Sequence, residues 1–305
     1  MFTIDANLDV EARWSGASLP SAIATRISYY AALTVALAPG EDDDDRPVDD
    51  IEVYAPAAVD ATRIALPVHM RAGRLAGSPH LSWANYDTRA ANDRRLAMEL
   101  AREHGIGVPG AHAITAASEL SVPGPWVAKG LWTSAGRDRC HGDGALTPEQ
   151  RTRVMRLLER FGALVVEPWL PRIVDVGVCA MVGHVVDVRA PHGLLTDARG
   201  TFLGIDLDPP PLTADERSRL VTFVGAAGAK LAAIGYRGPI AVDAFVAGPD
   251  RTLAVCEINA RYSFGWVAHG LAERFGTRRL GFSEAPPGAR VLIAARGDGI
   301  TAWIA

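Results

Sequence analysis

The sequence has 305 residues, of which 49% are hydrophobic and 22% charged, with a formal net charge of −4. These values are typical of a globular protein with a sizeable core and two or three sub-domains, and they give no reason to expect a nucleic acid or an anionic membrane as a partner. No apolar run approaches the roughly 20 residues of a membrane span, and acids occupy the N-terminal positions where a signal peptide is basic, so we expect a cytoplasmic protein.

The cysteines indicate little about function. Cys140, Cys179 and Cys256 are odd in number and include no C-x-x-C pair. This pattern argues against a disulfide framework and against a thiolate zinc site.

Residues 1–90 are typical of a small α/β unit. Apolar side chains recur at helical spacing within residues 21–37, and residues 51–54 predict a short strand. We expect residues 55–70 to supply a helix and another strand. The acidic run at residues 41–50 is interpreted as a solvated loop.

A second helix is predicted at residues 92–104, with Asn92 or Asp93 as its cap. Residues 105–110 formally match the dinucleotide-binding pattern G-x-G-x-x-G. That pattern should follow a strand and open a helix, whereas here it closes one, so we interpret it as a helix stop before a strand at residues 111–114.

A strand at residues 125–129 ends in Lys129 and precedes a loop at residues 130–144 that is rich in glycine and arginine. Small residues in such a loop would let backbone amides approach a polyphosphate, and the arginines would add positive charge. The alternative is an exposed lysine and an exposed loop without a ligand. The residues concerned are Ser134, Gly136, Arg137 and Arg139.

Regular elements follow. Residues 147–161 predict a helix and residues 163–167 a strand, which leads into the segment E-P-W-L at residues 167–170. Further along the chain we expect a strand or hairpin at 176–188, a long helix within 212–235, helical structure at 263–276, and a hairpin at 291–304 with Asp298-Gly299 as its two-residue turn.

The most informative stretch is the predicted hairpin at residues 241–261. Two apolar runs flank a turn near Asp250, and this arrangement places Asp243 opposite Glu257 on the face that also carries Asn259. Two adjacent carboxylates in a half-buried sheet repel each other unless a cation lies between them. Oxygen ligands of this kind suit Mg²⁺. The alternative is that both acids face solvent.

The order of these motifs resembles the ATP-grasp enzymes. The shared order is a strand with Lys129, a glycine-rich loop, a helix, a strand ending in the acidic segment at Glu167, and E-I-N-A-R at residues 257–261. The resemblance implies an α/β (α+β) fold in which two lobes grip ATP after a small pre-grasp domain. The expected domain bounds are 1–90, 91–166 and 167–305.

The resemblance also implies a set of site residues. Mg²⁺, with Mn²⁺ as an alternative, would be bound by Asp243, Glu257 and Asn259, while Arg261 and Arg137 would act at the transferred phosphate or the substrate. One departure concerns Asp93-Arg94, which stands where many members of the family have Asp-Lys. The residues implied in ATP binding are Arg94, Lys129, Ser134, Gly136, Glu167, Trp169, Leu170 and Asp175. For Trp169, a position in the core is favoured over direct contact with the ligand.

The implied activity is that of an ATP-dependent ligase. Such an enzyme activates a small-molecule carboxylate as an acyl phosphate, releases ADP, and lets an amine or a thiol attack. A small-molecule kinase on the same fold and a non-catalytic nucleotide-binding module are the alternatives. A homodimer would follow the habit of the family.

Overall fold

Three β-sheets from successive stretches of the chain form the framework of this computed structural model. The structure describes residues 1–16, 18–39, 51–84, 88–133, 138–197 and 200–305. The predicted acidic loop at 41–50, and Ser134, Gly136 and Arg137 of the predicted phosphate loop, lie outside these residues. Across the ranges that are described, no helix has both the length and the apolarity needed to cross a bilayer.

The first sheet is parallel, with strand order β3-β2-β1-β4. The predicted helix at 21–37 is α-helical only over its first part and continues as a 3-10 helix over Ala32–Leu37. The helix expected within 55–70 is a single 3-10 turn at Ala61–Arg63. The elements of this region are β1 (Phe2–Asp5), α1 (Val10–Trp14), α2 (Ser21–Ala31), β2 (Ile51–Ala55), β3 (His69–Ala72) and β4 (Leu81–Ser82).

The second sheet is antiparallel, with strand order β5-β8-β6-β7, and α4 packs against it. The hydroxyl of Thr147 caps α4 by accepting a hydrogen bond from the amide of Gln150. The elements here are α3 (Arg94–Glu103), β5 (His112–Ile114), β6 (Pro125–Gly130), β7 (Arg139–Asp143), α4 (Pro148–Phe161) and β8 (Leu164–Pro168).

The existence of β7 corrects the prediction that residues 130–144 form one loop. Cys140 is buried in this strand and pairs with Ala128 of β6. A Cβ atom on Gly142 would lie 2.1 Å from the indole of Trp126. This glycine therefore makes room for the buried Trp126 ring inside a strand, and it does not indicate an open loop.

The third sheet contains nine strands, in the order β14-β13-β9-β11-β12-β15-β17-β16 with β10 paired to β9. Helix α5 packs on β9, burying Leu220, Phe223 and Val224. The elements are β9 (Arg172–Val182), β10 (Val186–Val188), β11 (His192–Thr196), β12 (Phe202–Asp206), α5 (Ala214–Ala233), β13 (Gly238–Ala247), β14 (Thr252–Asn259), α6 (Phe264–Phe275), β15 (Arg279–Gly281), β16 (Arg290–Ile293) and β17 (Ala302–Ile304).

The C-terminal hairpin differs from its prediction. Strands β16 and β17 pair antiparallel as expected, but residues 294–301 join them in place of a two-residue turn. The carboxylate of Asp298 instead accepts hydrogen bonds of 2.7 and 3.1 Å from the buried guanidinium of Arg63. A buried cation needs an anionic partner, so a residue far away in sequence determines the path of this segment.

Candidate functional site

The ribbon formed by β13 and β14 carries the residues expected to bind the metal ion. Its register pairs Asp243 with Glu257, which confirms the pairing predicted from the sequence. The side-chain amide of Asn259 donates a hydrogen bond of 3.2 Å to Oδ2 of Asp243. The three side chains line one cavity of about 640 Å³.

The two carboxylates of the ribbon are unfavourable neighbours. Burial, followed by the negative charge of Glu257, raises the pKa of the Asp243 carboxyl above its ordinary value. A divalent cation between the two groups would relieve this repulsion. The donors available are carboxylate and amide oxygens, which Mg²⁺ and Mn²⁺ prefer, so the residues present fit such an ion.

Arg94 connects the second sheet to the ribbon. This first residue of α3 is 6% exposed, and its guanidinium lies 2.9 Å from Oε1 of Glu257. It also donates hydrogen bonds to the carbonyl of Gly130 and, at 3.0 Å, to the hydroxyl of Thr133. Since a carboxylate has two oxygens, Glu257 can bind Arg94 through one and a metal ion through the other.

Lys129 and Glu167 form a second fixed pair on neighbouring strands. Nζ of Lys129 lies 2.5 Å from Oε2 of Glu167, and both side chains are largely buried. Lys129 lines the cavity, whereas Glu167 lies behind it. A lysine held in this way presents its charge at a defined position.

The segment that follows β8 contributes one wall. Trp169 is half-buried and lines the cavity. The carboxylate of Asp175 accepts hydrogen bonds of 2.5 Å from Arg172 and 2.9 Å from Thr196. Leu170 does not line the cavity, because its side chain packs into an apolar cluster around the buried ring of Phe245.

Arg261 is held by a residue that the sequence does not single out. Its Nε lies 2.5 Å from Oε1 of Glu11, which is 5% exposed and comes from helix α1. The same guanidinium donates a hydrogen bond of 2.8 Å to Oδ1 of Asn259. Glu11 therefore brings the N-terminal region to the ribbon. In the sequence it looks like an ordinary acid on a short helix.

An aromatic group that lines the cavity was also not predicted. The rings of Phe264 and Phe282 lie 4.9 Å apart, and the ring of Tyr30 lies 4.9 Å from that of Phe282. Phe202 stacks on Phe264 at 6.2 Å. We call these four residues the aromatic wall. They come from α2, β12, α6 and the segment after β15, and no local sequence pattern joins them.

The cavity thus brings together most of the described residues that the sequence singles out. Glu167 touches the cavity only through Lys129, and Leu170 lies outside it. Arg139, of the strand that replaces the predicted loop, also lines the cavity. The predicted residues on the cavity wall are Arg94, Lys129, Trp169, Asp175, Asp243, Glu257, Asn259 and Arg261.

Comparison with known proteins identifies the fold. N5-carboxyaminoimidazole ribonucleotide synthetase from Thermus thermophilus aligns with 100% of this chain and 92% of its own, at 13% identity and a TM-score of 0.57. This synthetase is an ATP-grasp protein. The chain has the ATP-grasp fold.

Two further ATP-grasp structures support this assignment. N5-carboxyaminoimidazole synthetase from Staphylococcus aureus, complexed with ADP, aligns with 82% of this chain and 71% of its own at 13% identity and a TM-score of 0.51. The biotin carboxylase domain of 2-oxoglutarate carboxylase from Hydrogenobacter thermophilus aligns with 70% of this chain and 61% of its own at 15% identity and a TM-score of 0.50. No family profile and no curated protein matches the sequence.

At these identities the similarity concerns the ATP-grasp fold. The coverage is also uneven, since the chain spans 49% of the D-alanine-D-alanine ligase from Coxiella burnetii.

Proposed function

We propose that this protein is an ATP-dependent ligase that activates a carboxylate as an acyl phosphate for attack by an amine or a thiol. One observation carries the proposal. The oxygen donors of the β13–β14 ribbon share a single cavity with the basic side chains of Arg94, Lys129 and Arg261. Such an arrangement suits a magnesium nucleotide, whose phosphates need both kinds of partner. The ATP-grasp fold and the ADP in two of the similar structures support it.

Asp243, Glu257 and Asn259 would hold the metal ion. When bound, Mg²⁺ or Mn²⁺ would offset the negative charge of the phosphate tail. Their carboxylate and amide oxygens form a compact group, in which Asn259 is hydrogen-bonded to Asp243. Binding of the metal ion would offset the repulsion between the two carboxylates, which contributes to the raised pKa of Asp243.

The basic residues would fix the phosphates. Lys129 and Arg94 are assigned to the α- and β-phosphates, and each is already held by a carboxylate. Groups positioned before the ligand arrives lose little free energy in reorganising, so they stabilise transferred charge efficiently. Arg261, held by Glu11, and Arg137 are assigned to the transferred phosphate or the substrate carboxylate.

The nucleoside end is assigned to the segment between the sheets. Asp175 would accept hydrogen bonds from ribose hydroxyls and Glu167 would lie near the exocyclic amine of adenine. The ring of Trp169 would form one wall of the adenine site, as its half-buried position on the cavity allows. Leu170 would contribute through its backbone only. Ser134 and Gly136 are assigned to the phosphate loop of the lobe at 91–166. This lobe would follow the pre-grasp domain at 1–90 and precede the lobe at 167–305.

The proposed reaction has two balanced steps. In the first, a carboxylate oxygen of the substrate forms a bond to the γ-phosphorus of ATP, and the bond from that phosphorus to the β–γ bridging oxygen breaks, releasing ADP. In the second, an amine nitrogen or thiol sulfur bonds to the acyl carbon, phosphate leaves, and the proton of the nucleophile passes to solvent. No protein nucleophile is needed, because positioning and charge neutralisation supply the catalysis.

The experiment that tests this proposal identifies the products. Purified protein, Mg-ATP, a panel of ¹⁸O-labelled carboxylic acids and amines should yield ADP and phosphate, and one ¹⁸O atom should appear in the phosphate. Steady release of AMP and pyrophosphate would contradict the proposal. A stable phosphorylated product without an amine would favour the kinase, and Mg-ATP binding without turnover across the panel would favour a binding module.

The aromatic wall suggests the substrate class. Four aromatic rings lining one side of the cavity offer an apolar contact surface, and the exposed Arg26 of α2 lines the same cavity. We infer that the activated acid, or its amine partner, carries an aromatic or aliphatic group that packs on this wall. Phe282→Ala should raise KM for an aryl acid roughly tenfold, while KM for ATP stays unchanged. An equal change in both KM values would contradict this assignment.

A further inference from the structure

A second group of potential metal ligands lies beside the cavity that the β13–β14 ribbon lines. It consists of Cys179 on β9, His192 at the start of β11, and His269 on α6. One ligand atom from each residue lies within 4.8 Å of the other two. The two imidazole rings meet edge to face, with their centroids 5.6 Å apart. We call this group the Cys-His-His cluster.

Two ring nitrogens of this cluster are buried without a hydrogen-bond partner. Within the part of the chain that the structure describes, Nδ1 of His192 and Nε2 of His269 have none. His192 is only 2% exposed. Buried polar atoms in proteins are nearly always satisfied, and the exceptions often mark a missing ion or water. A metal ion would satisfy imidazole nitrogens directly.

The thiol of Cys179 has one weak polar partner, the hydroxyl of Ser263. Cys179 is fully buried, and Oγ of Ser263 lies at 3.9 Å from its sulfur. Each neutral imidazole has one nitrogen that carries a lone pair. The three side chains therefore offer one sulfur and two nitrogen donors at one place.

Two glycines leave the space in which His192 lies. A Cβ atom on Gly177, the residue paired with His192 across the sheet, would lie 2.4 Å from Nε2 of His192. A Cβ atom on Gly265 would lie 2.7 Å from the same ring and 3.0 Å from the sulfur of Cys179. Both distances to the ring are shorter than real Cβ contacts. The cluster can form only because these two positions lack side chains.

We propose that Cys179, His192 and His269 bind a divalent transition-metal ion of the zinc class. One thiolate and two imidazoles form the borderline-soft donor set that zinc prefers over magnesium. The thiol of Cys179 gives its proton to solvent as the metal–sulfur bond forms. His192, Ser263 and Gly265 also line the cavity, so the proposed site adjoins it, and water or a substrate group would supply the fourth ligand.

This site is distinct from the oxygen donors of the ribbon, although the two lie close together. Across three successive strands, the register places Asp243 beside Gly177 and Gly177 beside His192. The donor types differ, so each group should select a different ion. The sequence contains no C-x-x-C pair, which argued against a thiolate zinc site. The three proposed ligands come from separate elements, so no short motif joins them.

Cobalt titration tests the proposal. Purified protein is stripped of metal with a chelator and titrated with Co²⁺ alone, without nucleotide. We expect one equivalent to bind, with visible bands of a four-coordinate ion and a near-ultraviolet band for charge transfer from thiolate to cobalt. One equivalent of Zn²⁺ should remove both features. If the wild type, folded by circular dichroism, shows no thiolate band, the proposal is wrong.

Two variants locate the metal. Cys179→Ser should abolish the thiolate band and weaken Zn²⁺ binding by roughly 100-fold, while the matched control Cys140→Ser, in the second sheet, should leave both unchanged. His192→Gln should shift the visible bands and provides a second variant if Cys179→Ser fails to fold. A band that survives in Cys179→Ser, or that is lost in Cys140→Ser, would overturn the assignment. Because no nucleotide is present, a negative result leaves the proposed ligase activity standing.

Discussion

The two groups of potential metal ligands are assembled by the chain in opposite ways. Asp243, Glu257 and Asn259 come from a single hairpin, whose turn and alternation set their relative positions. The Cys-His-His cluster takes its members from two strands and a helix that meet only in the folded sheet. The first group offers oxygen donors to a hard ion, and the second offers sulfur and nitrogen to a softer one. A site whose residues lie in one local segment can be predicted from the sequence. A site whose residues meet only in the folded structure cannot.

The largest effect is expected from the oxygen donors. Glu257→Gln removes a proposed metal ligand and also the counter-ion of Arg94. We expect ATP turnover with an accepted acid and amine to fall by roughly 1,000-fold, as when a charge-stabilising group is lost. The rate of ADP release measures this turnover. Glu159→Gln on the exposed side of α4 is the control and should keep full activity.

Glu257→Gln also tests whether the two groups of ligands are separate sites. The cobalt spectrum of the Cys-His-His cluster should be unchanged in this variant. A loss of cobalt binding in this variant would mean that the two groups form one site.

The next effect concerns the space around His192. Gly265→Ala places a methyl group 2.7 Å from the His192 ring, so the ring must move. We expect the free energy of unfolding to fall by about 1–3 kcal/mol, the usual cost of overpacking, together with loss of the cobalt bands. Denaturant unfolding and cobalt titration measure the two changes.

Gly225→Ala on α5 is the matched control for this substitution. A Cβ atom at Gly225 would have no neighbour within 4 Å. Because alanine favours a helix over glycine by about 0.5–1 kcal/mol, the control should be slightly stabilised. If both variants behave alike, the glycine at 265 does not shape the cluster.

A smaller and pH-dependent effect is expected at Asp243. Burial and Glu257 raise the pKa of its carboxyl in the folded protein. The folded state therefore holds this proton at pH values where the unfolded state has released it, and stability falls as the pH rises above the unfolded pKa of about 4. Without metal, Asp243→Asn should be more stable than the wild type by about 1 kcal/mol at pH 8 and equal to it near pH 4.

Chemical unfolding at both pH values, in the presence of a chelator, checks this prediction. The variant should gain stability while losing Mg-ATP turnover. A variant that is less stable at pH 8 would show that Asp243 is not under electrostatic strain.

The smallest expected effect is a test of ion selectivity. Millimolar Mg²⁺ added to the cobalt-loaded protein should leave the thiolate band unchanged, because a hard ion competes poorly for sulfur and nitrogen donors. Absorption spectroscopy measures the intensity of this band. Displacement of cobalt by Mg²⁺ would contradict the division of the two groups by ligand chemistry.

Much of the fold follows from local patterns in the sequence. Alternation of apolar residues predicts the ribbon and the pairing of Asp243 with Glu257, and the cap at Asn92 or Asp93 predicts α3. These elements are specified by neighbouring residues, so a single segment is enough to recognise them. The strand ending in Lys129 is found in the same way.

The features that the sequence does not reveal depend on contacts between residues that are far apart in the chain. Glu11 matters only because folding brings it to Arg261, and the path around Asp298 depends on the buried charge of Arg63. Residues 139–143 were predicted as loop because glycine and arginine are common in loops. Pairing with β6, and the room that Gly142 leaves for Trp126, make them a strand.

The central claim is that oxygen donors on the β13–β14 ribbon bind a divalent ion together with a nucleotide. Thermal unfolding of wild type and Glu257→Gln with ADP, with and without Mg²⁺, tests it most directly. Ligand at 100 times its Kd should add about 2.7 kcal/mol to the free energy of unfolding. We predict that Mg²⁺ increases the ADP-induced shift in the wild type and has no such effect in Glu257→Gln. Equal shifts in the two proteins, or a wild-type shift independent of Mg²⁺, would contradict the claim.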